Sequence, residues 1–372
     1  MSGAQDRPRV SVVIPVYNMR EWLGQAIDSA LAQTVPVDVV VVDDGSTDDS
    51  GAVAATYGAR VRYVRQENRG LSAARNRGIV ESTGELLQFL DADDRLLPEK
   101  VATTLAVFDA DRGAGLVYSG CRFVDEADRV LPQHGWSRDE GAVLPRLVLG
   151  NLINPHCAIV RRELVERAGG FDESLTSVED WDLWLRMTRD GALWRCIDRP
   201  LAEYRVRAAG MHQNVARMLQ NRLRVLDKLF ADDFLPDAVL ALRPRAYQNA
   251  WLIAACLHYA NGERLAGAGA FRQAVLARPA LLTERESLRL MSRWCLPLGH
   301  QRDAEVVAQW RPITATLRHM IGDLFATPDL EPAVRALRGP ARRALWATIA
   351  RLGRKHAVAA FGGGRATTSQ GP

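Results

Sequence analysis

Near the start of the chain, Val10–Val16 (VSVVIPV) is an almost unbroken apolar run. A strand with one wet face would alternate; a continuous run marks a strand covered on both faces. Behind it, Trp22, Leu23, Ala26, Ile27, Ala30 and Leu31 recur at helical spacing. The run VDVVVV at 37–42 predicts a second strand, Asp48 to about Tyr57 a second helix, and Val61–Val64 a short third strand. Leu71–Val80 then predicts a helix and Glu85–Leu90 a fourth strand. This alternation predicts an α/β fold: a mostly parallel open sheet with helices on both faces. From about residue 211 the pattern changes. Ala, Leu and Arg dominate, and prolines at 236, 244, 279, 297, 312, 328, 332 and 340 divide what reads as an α-helical C-terminal region.

In open parallel sheets ligands sit beyond the carboxyl ends of the strands. The segments there are Pro15-Val16-Tyr17-Asn18, Asp43-Asp44-Gly45-Ser46-Thr47-Asp48, Glu67-Asn68-Arg69-Gly70 and Asp91-Ala92-Asp93-Asp94. Any one of them is ordinary turn and cap chemistry. Turn chemistry does not require acids and amides to gather at one sheet edge, so the four together point to a site.

The 372 residues carry a net charge of +4, with 47% hydrophobic and 25% charged residues, which excludes a wholly disordered or low-complexity chain. The balance is uneven: residues 1–210 sum to −7 and 211–372 to +11, and only three of the 48 basic residues are lysine. Such a split suggests two modules with different partners. The five cysteines form no CxxC pair, so neither a zinc knuckle nor a disulfide framework is expected. No apolar run is long enough to span a bilayer. The N-terminal MSGAQDRPRV lacks the apolar core of a signal peptide, so the cytoplasm is the simplest expected compartment.

Two acidic groups could carry chemistry. Asp91-Ala92-Asp93 closes a strand, and alternation puts its carboxylates on one side; hard oxygen donors suit Mn²⁺ or Mg²⁺. Glu179-Asp180-Trp181 opens a helical pattern. Asp180 there reads either as an N-cap or as a general base that takes the proton of an attacking hydroxyl.

Six segments occur in order: VSVVIPVYN at the first strand, VVDDGSTD (41–48), NRGLSAARNRG (68–78), FLDADD (89–94), GGFDESL (169–175) and EDWDLWLR (179–186). Together they resemble an inverting glycosyltransferase of family two, with the GT-A fold, over residues 9–212. The resemblance implies a nucleotide-sugar-binding domain at 9–212; the composition of the rest gives a helical domain at 213–361 and, from the Gly-rich end, a disordered tail at 362–372. It implies that Pro15 and Tyr17 lie by the nucleotide, that Asp44 bonds the base while Asp43 supports its loop, and that Asn68 and Arg75 lie near the base or phosphates. Asp91 would lie near the ribose or donor sugar. Asp93 would be the principal ligand of Mn²⁺ or Mg²⁺, with Asp91 and His212 as further ligands. Asp180 would be the catalytic base and Glu179 would orient it or the acceptor.

The implied reaction is metal-dependent transfer of a sugar from a nucleotide-sugar donor, UDP-linked by expectation, to a hydroxyl of a glycan or lipid-linked glycan in surface polysaccharide synthesis. Processive members carry a Gln-x-x-Arg-Trp motif; Leu290-Met291-Ser292-Arg293-Trp294 has Leu in place of Gln, so non-processive transfer is expected. A sugar-1-phosphate nucleotidyltransferase would want a Gly-rich first loop, which is absent here. A non-catalytic sugar-nucleotide scaffold would not need Asp180 and the metal carboxylates, which are present. Within 340–361, Leu345, Ile349 and Leu352 share a face with basic residues largely opposite. That helix could lie on the inner face of an anionic membrane or dock on its own domain. No nucleic-acid motif appears, so no nucleic-acid partner is expected.

Overall fold

The computed structural model describes residues 8–131, 136–207, 214–294 and 309–361. The described residues fall into two compact units, one ending at Arg243 and the other beginning at Pro244. The first is built on an eight-stranded mixed sheet: β1 (Val10–Val16), β2 (Asp38–Asp43), β3 (Arg62–Arg65), β4 (Leu86–Phe89), β5 (Arg95–Leu96), β6 (Ala114–Val124), β7 (Ala158–Arg161) and β8 (Leu193–Arg205). Their order is β3-β2-β1-β4-β7-β6-β8-β5. The four strands predicted from the apolar runs are all present, and β3, β2, β1 and β4 pair in parallel.

Register decides where the site forms. Val16 stands opposite Asp43, and Asp43 opposite Arg65. Val13 stands opposite Phe89, so the segment after β4 leaves at nearly the same level. The four polar segments therefore start at one edge. Every residue of β1 is buried, as its unbroken apolar run requires. One side is covered by the helix α1 (Arg20–Leu31) through Leu23, Ala26, Ile27 and Ala30. On β1 also rests the helix α3 (Leu71–Glu81), where a Cβ on Gly78 would stand 2.2 Å from a Val13 methyl. Only glycine permits that approach.

The remaining strands bring the antiparallel pairs: β4 with β7, β7 with β6, and β8 with β5. The helix α7 (Glu179–Arg189) precedes β8. The helix α8 (Val215–Phe230) follows the composition change near residue 211 yet belongs to the first unit. Its Asn221 donates to Ser177 Oγ at 2.8 Å, and its Lys228 pairs with Asp172 and Asp182 at 2.7 Å each. The structural division at 243 thus lies beyond the compositional one.

The second unit is helical, with Arg264–Ala277, Arg285–Trp294, Trp310–Ala326 and Arg338–Phe361 as its longer elements. In the last of these, Leu345, Ile349 and Leu352 are buried. The stripe offered by the sequence as a membrane face is consumed by packing within the unit. Trp346 stays exposed, with Arg318 over its ring at 4.9 Å. No described helix is long and apolar enough to cross a membrane. The expected tail, 362–372, lies outside the described residues.

Candidate active site

The segments after β1 and β2 are laced together by Asn18, whose backbone is left-handed at φ 53°. Its Oδ1 accepts from Thr47 N at 2.7 Å, and its amide donates to Ser46 Oγ at 3.0 Å. Asp43 is wholly buried and accepts from Ser46 N and the Tyr63 hydroxyl, each at 2.7 Å, which is the supporting role expected of it. Asp44 accepts from Gln66 Nε2 at 2.8 Å, Arg69 N at 2.9 Å and Gly70 N at 2.8 Å. It therefore clamps the end of β2 to the 66–70 segment. Gly45, at φ +78°, lets that segment pass: a Cβ there would meet Asn68 N at 2.9 Å. Pro15 is buried in β1, while Tyr17 (46% exposed) and Asn68 stand open at the edge.

Gly70 is the residue before α3, and α3 carries Arg75. Arg75 is 1% exposed. Its guanidinium donates to Asp91 Oδ1 at 2.5 Å and to Glu179 Oε1, and it lies 5.2 Å from the Phe171 ring centroid. Burial alone would weaken its hold on the proton, but Asp91 and Glu179 more than reverse that. The expectation set Arg75 near the base or phosphates; here it turns inward and joins two carboxylates from motifs far apart in the chain. One connected path, Asp44 to Gly70 to α3 to Arg75, so links the end of β2 with Asp91 and with the start of α7.

At that start the N-cap position is Val178, not Asp180. Val178 has φ 55°, a left-handed conformation that a β-branched residue adopts only under constraint. It turns Glu179 and Asp180 into the protein. Asp180 is 7% exposed; it accepts from Asn151 Nδ2 at 2.7 Å and from Trp181 N at 2.7 Å. Burial, then the charge of Glu179, pushes its carboxyl up to about 7, against the opposing pull of Arg75 and Asn151. A carboxylate so placed can accept a proton near neutrality.

Behind Asp91 the chain turns. Asp93 pairs with Arg207 at 2.7 Å, and burial followed by the Asp91 charge raises its pKa. Asp94 faces the other way: its Oδ2 lies 2.7 Å from His156 Nδ1, and its Oδ1 accepts from Arg205 N at 2.8 Å. Burial pushes Asp94 up to about 7 although His156 opposes it. Burial would lower His156, but Asp94 holds it above its usual range. His156 is fully buried and stacks on Tyr204. Arg205 is committed inward as well, donating to the Asp93 carbonyl at 3.0 Å and lying 4.2 Å from the Trp22 ring centroid.

The donors fit a hard cation. Asp91 and Asp93 keep partly open carboxylates, with side chains 28% and 19% exposed. Ligand atoms of Asp91, Asp94 and His156 also lie within 4.8 Å of one another, but Asp94 and His156 are turned to each other and leave Asp91 and Asp93 as the donors for that ion. Arg207 supplies positive charge to Asp93 in the arrangement seen. His212, the third expected ligand, lies outside the described residues. Asn151 was not legible as a site residue, since it sits in a segment without a motif.

The chain matches the family model described as glycosyl transferase family 2 over residues 11–169. An uncharacterized glycosyltransferase of Rickettsia typhi is 33% identical over 193 residues, covering 50% of this chain and 61% of that protein. An uncharacterized protein of Mycobacterium tuberculosis is 31% identical over 270 residues, covering 66% of this chain and 83% of that one. The segment 11–169 belongs to glycosyltransferase family 2. Two solved structures share its fold. S. aureus TarS 1–349 in complex with UDP-GlcNAc has a TM-score of 0.56 at 20% identity, covering 84% of this chain and 92% of that one. A Pyrobaculum calidifontis mannosyltransferase in complex with GDP-Man and Mn²⁺ has a TM-score of 0.50 at 21% identity, covering 94% and 89%. The family-2 match ends at residue 169, before Glu179 and Asp180, so the link from Asp91 through Arg75 to Glu179 comes from the structure itself.

Proposed function

We propose that this protein transfers a sugar from a nucleotide-sugar donor to an acceptor hydroxyl with inversion, Asp180 acting as the base. The observation that carries the reading is Arg75, whose contacts to Asp91 and Glu179 bring the donor-side carboxylates and the candidate base to one site. Tyr17, exposed at the end of β1, offers an aromatic face to the nucleotide, and Asn68 lies open on the neighbouring segment. Asp44 shapes the base-binding edge by holding the 66–70 segment in place. Asp93 and Asp91 would hold Mn²⁺ or Mg²⁺, which when bound supplies positive charge against a departing diphosphate.

The chemical step asked of this chain is a proton transfer. Asp180 accepts the proton of the acceptor hydroxyl as its oxygen attacks the anomeric carbon. Asn151 and the Trp181 amide fix the carboxylate, and the nearby Glu179 and burial keep it basic. The neighbours bound to UDP-GlcNAc and GDP-Man support a nucleotide-sugar donor, and UDP is the nucleotide we favour. The acceptor we favour is a glycan or lipid-linked glycan, extended non-processively. The membrane part of the proposal rests on charge alone, through exposed Arg342, Arg343, Arg354 and Lys355.

The test is release of nucleoside diphosphate from a panel of UDP-, GDP- and dTDP-sugars by the full chain, with and without Mn²⁺. One donor should be turned over in a metal-dependent way. Asp93→Ala and Asp180→Asn should each lower transfer by about 10²–10⁴-fold, with unchanged circular dichroism. Full activity in Asp180→Asn, or no turnover of any donor, would remove the proposal.

A further inference from the structure

Behind the Asp91–Asp94 turn lies a second group of potential ligands that the transfer reaction does not use. Cys121 comes from β6, and His156 and Cys157 from the turn Pro155–Cys157 that leads into β7. Antiparallel pairing sets Tyr118 opposite Ala158, so Cys121, three residues on in β6, and Cys157, just before Ala158, both leave from the end of this pairing. Ligand atoms of Cys121, His156 and Cys157 all lie within 4.8 Å of one another. His156 and Cys157 are buried, and Cys121 is half-buried. The Nδ1 of His156 faces Asp94 at 2.7 Å. Its Nε2 is buried and makes no hydrogen bond of ordinary geometry among the described residues.

We propose that Cys121, Cys157 and His156 bind one zinc ion in a structural site that ties β6 to the turn before β7. Two thiolates and an imidazole are a donor set that zinc takes, at about 2.3 Å to sulfur and about 2.0 Å to nitrogen, with a water or other donor in the fourth place. The metal would take Nε2, while Asp94, 2.7 Å from Nδ1, holds the ring as a carboxylate that orients a ligating histidine does. Charge is balanced as well. Zinc and the Lys100 ammonium, which donates to Ser119 Oγ at 3.0 Å and to the Cys157 carbonyl, face two thiolates and Asp94. The cysteine spacing in the sequence carries no such signal, because the fold assembles the ligands from a strand and a turn distant in the chain. The site differs from the donor-side carboxylates in chemistry: sulfur and nitrogen select zinc, oxygen selects Mn²⁺ or Mg²⁺. Through Asp94 it would hold the Asp91–Asp94 turn from behind.

The test reads the metal, not the turnover. The full chain, purified under reducing conditions, should carry about one zinc per chain. Exchange for Co²⁺ should give a thiolate-to-cobalt charge-transfer band and intense tetrahedral d–d bands. Cys121→Ser and Cys157→Ser should each abolish the charge-transfer pattern and lower zinc to below about 0.2 per chain. Asp93→Ala should keep both signatures while losing nucleotide release, so failure of this site and failure of the proposed transfer are told apart. Cys121 is half-buried, so its serine variant should fold, which far-ultraviolet circular dichroism checks. Zinc well below stoichiometric after zinc loading, with no cobalt–thiolate band in the wild-type chain loaded with Co²⁺, would overturn the proposal.

Discussion

Arg75 shows how one side chain can join two motifs. A guanidinium 1% exposed and shared by two carboxylates cannot be removed without leaving charges unpaired. Arg75→Met should therefore lower unfolding free energy by about 3–5 kcal/mol in a urea titration. Lysine, a point donor on a flexible stem, should not restore the bridge. Asp180 gives a pH prediction. Its folded pKa, about 7, lies above the ordinary carboxylate value. The basic form is absent at low pH, so kcat/KM should rise with pH through about 7 and level off above it. A limb left unmoved in Asp180→Glu would assign the titration elsewhere. Stability runs the opposite way. The unfolded carboxyl loses its proton near 3.8 while the folded one keeps it to about 7. This group's contribution is therefore full below the lower value and is lost as pH rises to the upper one.

Among elements, the contact of α3 with β1 matters most, because α3 carries Arg75. Gly78 allows it, and a Cβ there would lie 2.2 Å from Val13 in a fully buried strand. Alanine would gain about 1 kcal/mol in helix propensity. Overpacking at this distance costs about 1–3 kcal/mol and should win. Gly78→Ala is thus expected to lower the melting temperature and weaken activity together, measured by calorimetry and nucleotide release; a raised melting temperature would contradict this packing account. The elements legible in the sequence were those with unambiguous periodicity: β1 and β2 as apolar runs, α1 as a helical stripe. The other four strands, β5 to β8, were not. In β8, buried and exposed positions follow no simple alternation, and Pro200 interrupts the run. The strand β5 has only two residues, Arg95 and Leu96, too few to leave a pattern.

For the molecule as a whole, the charge asymmetry survives at the structural division: residues 1–243 sum to −6 and residues 244–372 to +10. The basic surplus of Arg338–Phe361 remains exposed at Arg342, Arg343, Arg354 and Lys355, although the apolar stripe is buried. Binding to anionic vesicles, if it follows charge, should fall about tenfold between low and physiological salt. It should be lost when these four are changed to Gln, with nucleotide release unaffected; salt-independent co-sedimentation would instead demand an apolar contact.

The sequence by itself determined the parallel half of the sheet and the acidic motifs at its edge, because burial on both faces and turn chemistry act locally along the chain. It also carried the family. Only the tertiary structure decided that Arg75 points inward, that Asp94 rather than Asp93 meets His156, and that Leu345, Ile349 and Leu352 are packed rather than open. Those outcomes depend on pairings between residues distant in the chain, set by strand register and helix docking, and no local pattern records which partner a charged or apolar side chain will find.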